Sequence, residues 1–389
     1  TFSKTDALHL ADCMAANASF ACLNSGLMME EGPRNVEIWT GGTSPMMGEQ
    51  MLLFSQGLSL TTTLETLELQ GDFTRPGVAQ YLIAGLAANT SLEYLRFSWC
   101  RYPPDTSWPS VLSALHSHPK LRGLMLNNRD ELWHPQVQEA LQSLLSSDEC
   151  KLEDVDLSAS YLSSEKVNTP SRFRLGNLFD NANTPLKSLR LCHFDIESSS
   201  LRAMLPSCRC LVELDLRGNK ISDLEPLDCL LLGESCSLER LELRYNPISL
   251  SSARVFAQKL PRMKVLRRLQ FYKSPFIGDR KFLDEFLDYA NQNTSMEMLR
   301  IFTTYDEIAA LRPKLMYGPC LNRAGRQYLG HNPGSLPLKL LPTVFVRARE
   351  IYYYDPFGRP KTEPSARLDG LDATFWLLRE NSTLHSHFV

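Results

Sequence analysis

The sequence predicts an α/β solenoid in which one short strand-and-helix unit is stacked many times over. Two observations predict it. An apolar triplet at the first, fourth and sixth positions of a segment recurs nine times, and its first residues, from Leu64 to Met296, stand 28, 29, 31, 34, 25, 27, 28 and 30 residues apart. Between triplets, the apolar residues change from alternation to helical spacing. A period of this length marks units that cannot bury their own apolar faces and must stack to do so.

Two copies fit the pattern L-x-x-L-x-L-x-x-N/C-x-L throughout. They are Leu211, Leu214, Leu216, Asn219 and Ile221, then Leu238, Leu241, Leu243, Asn246 and Ile248. Shorter matches are Leu64/Leu67/Leu69, Leu92/Leu95/Phe97, Leu121/Leu124/Leu126, Leu152/Val155/Leu157, Leu186/Leu189/Leu191, Leu266/Leu269/Phe271 and Met296/Leu299/Ile301, with a degenerate tenth at Pro33/Val36/Ile38. The fourth and sixth residues point to one side of a short strand, and the first joins them in the core. The Asn at position nine can pair backbone groups left open where the chain turns. Cys100 is a permitted substitute there, whereas Asp72, Arg129, Ser160, Phe194, Ser274 and Thr304 predict less regular turns.

The second half of each repeat reads as a helix: 78–88, 110–116, 136–145, 201–205, 253–260 and 280–291. In the last, Phe282, Phe286 and Tyr289 recur at helical spacing, as do Leu283 and Leu287. A helix is wider than a strand, so such units are expected to curve into a horseshoe, with parallel strands on the concave face and helices on the convex one.

On these residues the chain resembles the ribonuclease-inhibitor-like subfamily of leucine-rich-repeat proteins. The junction segments 16–20, 88–92 and 291–296, each carrying Asn before Ser, add to the resemblance. It covers roughly residues 33–303 and implies a horseshoe that binds another protein, without naming the ligand. An open solenoid needs capped ends. The expected organisation is an N-terminal cap at 1–32 with a helix near Ala7–Ala16, about ten repeats at 33–303, and a helical C-terminal cap at 304–389. Helices are expected there near 338–353 and 371–380, around a loop at 355–360. The stretch 321–326 and the segment 375–379 resemble the tails of leucine-rich-repeat proteins of diatom-type microalgae.

Side chains at positions three, five and seven of each strand face away from the core. Among them Arg190, Arg217, Arg240, Arg244, Arg268, Tyr272, Arg300, Phe302, Trp39 and Tyr94 are the candidate partner-binding residues, because arginines and aromatics dominate interface hot spots. Arg217, Arg244 and Tyr272 share one column and Arg240 and Arg268 another. A competing reading is an internal charge ladder, with Glu213, Asp215 and Glu242 neutralising the arginines.

Other classes find little support. The chain has 41 Lys and Arg against 44 Asp and Glu, a net charge of −3, which argues against nucleic acid and membrane surfaces. The apolar stretch 336–346 falls far short of the ~20 residues that span a bilayer. Ten cysteines without a CxxC motif fit free thiols in the cytoplasm. No signal peptide is legible within the chain, which begins at Thr1 rather than Met. The eight histidines do not cluster as metal ligands, and no GxxxxGK[ST], GxSxG or HExxH occurs. Asn-x-Ser/Thr sequons at Asn17, Asn89, Asn293 and Asn381 read as glycosylation sites or, for the first three, as structural parts of the repeat junction. The sequence thus points to a monomeric, non-catalytic scaffold that takes no cofactor or metal and binds a partner protein on its concave face. Its alternatives are a GTPase-activating or regulatory horseshoe, and the recognition part of a larger receptor or ubiquitin-ligase adaptor.

Overall fold

Each of the ten apolar alternations forms a strand. The computed structural model describes residues 48–72, 77–101, 107–127, 135–158, 185–233 and 235–302, with short pieces at 8, 11–12, 27–28, 35–39, 311, 314–315, 318–319, 322, 353–354 and 360–361. The chain divides into two units, Thr1–Leu214 and Asp215–Val389.

Unit 1 holds strands β1 (Leu27–Met28), β2 (Asn35–Trp39), β3 (Thr66–Asp72), β4 (Tyr94–Arg101), β5 (Gly123–Asn127), β6 (Asp154–Asp156) and β7 (Ser188–Arg190), and the start of β8 (Glu213–Asp215). From β2 to β7 each strand pairs in parallel with the next in sequence. The register puts Leu67, Leu95, Leu124, Val155 and Leu189 in one line, all buried. Successive residues point to opposite faces, so one slipped residue would expose this whole line. β1 was not foreseen; it runs antiparallel to β2, covering an edge that would otherwise be free to pair with another chain.

Helices α1 (Gly48–Leu60), α2 (Val78–Ala88), α3 (Ser107–Leu115), α4 (Pro135–Ser146) and α5 (Ser198–Met204) return the chain between strands. α1 was not predicted: its two glycines and five polar residues blur the periodicity, yet it buries Met51, Phe54 and Leu58 completely. Its fit is close. A Cβ on Gly85 of α2 would lie 2.6 Å from Ser55 Oγ, and one on Gly57 would lie 2.7 Å from Ala11 Cα. Leu8, Ala11 and Asp12 are helical, within the helix expected near Ala7–Ala16; the other residues of that helix lie outside the described residues. Trp108 of α3 meets Phe97 of β4 edge to face at 4.9 Å, joining helix and strand in the core.

Unit 2 holds the end of β8, then α6 (Asp228–Leu231), β9 (Arg240–Glu242), α7 (Leu250–Lys259), β10 (Arg268–Tyr272), α8 (Arg280–Gln292) and β11 (Met298–Phe302), with β9, β10 and β11 paired in parallel. α6 was also not predicted. Phe271 of β10 sits at the centre of an aromatic cluster with Phe256, Phe276 and Phe286. The buried stripe of α8 is Phe282, Leu283, Phe286, Leu287 and Ala290; Tyr289 is only half-buried. Asp279 and Ser249 cap α8 and α7 by accepting backbone N–H groups three residues on, from Phe282 and Ser252.

Two sets of side chains stitch the repeats. At position nine, Asn246 Nδ2 donates to the carbonyls of Leu216 (2.8 Å) and Leu243 (3.1 Å), while its Oδ1 accepts the N–H of Ile221. Asn219 Nδ2 likewise donates to Leu216. At the helix-to-strand junction, Asn293 Nδ2 donates to Leu260 and Met263, both at 2.7 Å, and Oδ1 accepts from Ser295 and Met296. Asn89 does the same in unit 1, donating to Leu58 and accepting from Ser91 and Leu92. The sequons at Asn89 and Asn293 are therefore structural, with both side chains buried. Asn17 and Asn381 lie outside the described residues.

The pattern runs past residue 303. Ser295 Oγ donates to Met263 and Leu266, and Asn322 Nδ2 donates to their counterparts one repeat on, Asn293 and Met296. Of the C-terminal expectations, 371–380 and most of 338–353 lie outside the described residues. Tyr353, expected to end a helix, instead pairs with Lys361 in a short antiparallel ladder of β12 (Tyr353–Tyr354) and β13 (Pro360–Lys361). The loop expected at 355–360 therefore gives up Pro360 to a strand, and 355–359 are outside the described residues.

Candidate functional site

The strand face presents the side chains that the core does not take. In unit 1, Trp39 stands on β2, but its side chain is outside the described residues. Tyr94 is half-buried and has a structural job. Its ring lies over Gly123 of the neighbouring strand, where an added Cβ would come within 2.2 Å of it. Arg190 stands between two carboxylates, 3.1 Å from Glu213 and 3.8 Å from Asp156. Glu68 accepts from Ser98 Oγ at 2.8 Å and lies 3.8 Å from Arg96.

In unit 2 the arginines of the two predicted columns stand in different surroundings. Arg217 bonds the carboxylate two residues before it, Asp215, at 2.7 Å; Arg244 does the same with Glu242 at 2.9 Å, both through Nε and a terminal nitrogen. Each arginine lies in the turn just past its strand and folds back onto the last residue of that strand, so each pair closes within its own repeat. Burial pushes the Glu242 carboxyl up to about 7, against the pull of Arg244 and Arg217 and with a further push from Asp215. In the other column, Arg240 and Arg268 are exposed and register partners on adjacent strands. Arg300 is half-buried and pairs in register with Gln270. Phe302 is the register partner of Tyr272, its side chain outside the described residues.

One group was missed by sequence reasoning. Position eight of the repeat carries His193, Gly218, Tyr245 and Lys273, and all four have positive φ, at 63°, 68°, 58° and 52°. Glycine takes this conformation without penalty; a side chain costs ~1–2 kcal/mol. Tyr245 and Lys273 bear that cost in unit 2 and form a cluster with Tyr272. The two rings meet edge to face with centroids 4.9 Å apart, and Lys273 Nζ stands over both, at 5.6 Å and 5.5 Å. Tyr245 is 40% exposed. The signal was legible: Gly218 in the best-matching repeat shows what the turn prefers, and Tyr245 and Lys273 depart from it.

A shallow cavity of about 490 Å³ lies on the helix side of unit 2, lined by Asp223, Ser252, Asp228 and Lys259 among others. Its polar groups bond one another: Ser252 Oγ donates to Asp223, and Lys259 to Asp228. Among the described residues, no group of three or more His, Cys, Asp or Glu is placed to hold a metal ion, and no helix is long and apolar enough to cross a membrane.

A family model described as Leucine Rich repeat matches residues 207–224. No curated protein sequence matches the chain. Among solved structures, the chain is similar to an internalin from Listeria monocytogenes, at 15% identity and a TM-score of 0.32, over 71% of this chain and 84% of that one. It is also similar to actin-binding site 2 of leiomodin-1, at 14% identity and a TM-score of 0.29, over 41% of this chain and 81% of that one. The family match falls on the turn that Asn219 closes, and Asn246 closes the next one in the same way, so the chain is an α/β solenoid of leucine-rich repeats.

Proposed function

We propose that the protein is a non-catalytic scaffold that binds a partner protein on its strand face. The observation that carries this reading is the Tyr245–Tyr272–Lys273 cluster. It combines a half-exposed aromatic pair, a cation and two residues of strained backbone, and strain retained in a rigid frame is a mark of functional sites. Aromatic and basic anchors of this kind dominate binding energies in protein interfaces. Within the candidate set, Arg240, Arg268 and Tyr272 are the proposed contacts, while Arg217 and Arg244 shape the face through their ion pairs.

Finer elements belong to the same proposal. The ribonuclease-inhibitor-like assignment is supported by the period near 29 and by helices as long as α2 and α8. A monomeric, cytoplasmic chain with caps at 1–32 and 304–389 completes it; Cys208 and Cys210, the closest pair, are free thiols.

The test is affinity capture from extract of the native cell. Wild type is compared with Arg240→Glu/Arg268→Glu/Tyr272→Ala and with the helix-face control Val255→Glu, each of confirmed fold. A protein retained by wild type and by the control but lost with the triple variant supports the reading. Identical capture by all three, or loss only with the control, overturns it.

A further inference from the structure

We infer that Glu242 holds a proton that it donates to Gln270, and that this shared proton tunes partner binding on the strand face of unit 2, an inference that rests on the scaffold reading above for its bearing on a partner. Asp215, Glu242, Gln270 and Arg300 occupy position five of β8, β9, β10 and β11, so they form one row across four adjacent strands. Glu242 and Gln270 are register partners, as are Gln270 and Arg300. Adjacent strands lie ~4.8 Å apart, which brings neighbouring side chains of the row within reach of one another.

Gln270 Oε1 is sealed from solvent and receives no hydrogen bond among the described residues. A buried amide oxygen is costly to leave unpaired. Its neighbour Glu242 can do nothing for it as a carboxylate, which only accepts; as a neutral acid it gains an O–H that donates. The neutral acid also keeps lone pairs on both oxygens for Arg244, which bonds them through Nε at 3.0 Å and a terminal nitrogen at 2.9 Å. One proton thus satisfies Gln270 without displacing Arg244.

The surroundings of Glu242 favour that proton. Burial is the largest influence and, with a further push from Asp215, raises the carboxyl to about 7 against Arg244 and Arg217. Asp215 is already held by three donors of Arg217, its backbone N–H, Nε and a terminal nitrogen. Arg240 and Arg268, the charged groups at position three of the two strands, are exposed. A partner docked over the row removes more water from Glu242 and favours its neutral form further. The complex therefore takes up a proton from solvent, and binding weakens as the pH rises through the midpoint of the free chain.

The test begins on the full chain alone, labelled with carbon-13 and nitrogen-15 in glutamate and glutamine. One glutamate carboxyl and one glutamine side-chain carbonyl are expected to titrate by NMR with a common midpoint, and the glutamine titration is expected to vanish in Glu242→Gln. Gln270→Met keeps the side-chain length and removes the acceptor; it is expected to lower the Glu242 midpoint by about 0.5–1 pH unit. The wild-type titration decides the matter if that variant does not fold. A glutamine carbonyl that does not follow Glu242, or a midpoint unmoved or raised in Gln270→Met, overturns the shared proton. A titration of the glutamine N–H protons in place of its carbonyl also overturns it, because the amide would then donate to an ionised Glu242. The protein retained in the capture test above is next measured at pH 6 and pH 8. It is expected to bind severalfold more weakly at pH 8, with the difference lost in Glu242→Gln. If the pair titrates together but capture is indifferent to pH, the tuning of binding is overturned and the scaffold reading stands. If no protein depends on the strand face at either pH, the scaffold reading falls and takes the tuning with it, whatever the titration shows.

Discussion

Tyr245 and Tyr272 meet edge to face at 4.9 Å, and the backbone N–H of Tyr245 donates to the carbonyl of Tyr272 at 2.7 Å. One contact thus fixes the rings and the other fixes the strained turn beneath them. The two costs can be separated by substitution. Tyr245→Ala loses the ring contact and keeps a Cβ at φ 58°. Tyr245→Gly loses the same contact but relieves the ~1–2 kcal/mol of left-handed strain, set against ~0.5–1 kcal/mol of extra chain entropy. The glycine variant is expected to be about 0.5–1 kcal/mol more stable than the alanine variant by urea unfolding. Equal stabilities would mean that the turn is not strained at Tyr245.

The architecture was legible because its signals are physical requirements of every repeat. Leu214 and Leu241 must be apolar to be buried, and Asn246 must bond the turn carbonyls. Helix α2 was read to the residue because its apolar spacing is unbroken, whereas α1 was lost behind Gly57 and Ser55, the residues its close packing requires. The columns of the candidate site were legible from alternation alone. What each column does was not. Arg217 and Arg240 look alike in sequence, and only the placement of Asp215 beside the first and Arg268 beside the second separates them.

His118 occupies the junction position that Asn89 holds one repeat earlier, and it does the same work. Its Nδ1 accepts from the N–H groups of Lys120 and Leu121, at 3.4 Å and 3.2 Å, which requires the neutral ring. Burial lowers its pKa below the ordinary 6.5, partly offset by the Asn89 backbone. The unfolded chain therefore binds this proton more readily. The stability that His118 contributes is present above pH 6.5 and is lost as the pH falls through the lowered value. His118→Asn should keep both hydrogen bonds and remove this dependence. Thermal melts at pH 7.5 and 5.5 are expected to show wild type losing more than the variant, and parallel losses would rule out the role.

Asn293 satisfies two carbonyls and two N–H groups, all in the interior of unit 2. Asn293→Ala would leave these groups without that partner, where each orphaned buried group costs ~1–3 kcal/mol less any local relaxation. A loss of about 3 kcal/mol in urea unfolding is expected. Exposed Thr294, the middle residue of the same sequon, should tolerate alanine with a change within about 0.5 kcal/mol. A mild effect at Asn293 would contradict the structural reading of the sequon.

Glu242 sets the opposite pH trend from His118. Its carboxyl titrates near 7 in the folded chain and at 4.5 when unperturbed, because burial outweighs the pull of Arg244. The folded state therefore holds the proton more tightly than the unfolded one. The stability that this provides is full below about pH 4.5 and disappears as the pH rises through 7. Glu242→Gln carries no titrating group, so its stability relative to wild type should increase between pH 5 and 8, by about 2 kcal/mol after allowance for residual solvent access. Carbon-13 NMR of the glutamate carboxyls provides a direct check, with one resonance expected to move with a midpoint near 7 and to vanish in the variant. A midpoint near 4.5 would mean that Arg244 overcomes burial and keeps the pair ionised. In that case Glu242 would contribute no change of charge to the strand face across the neutral range, and any pH dependence of partner binding there would have to come from another group.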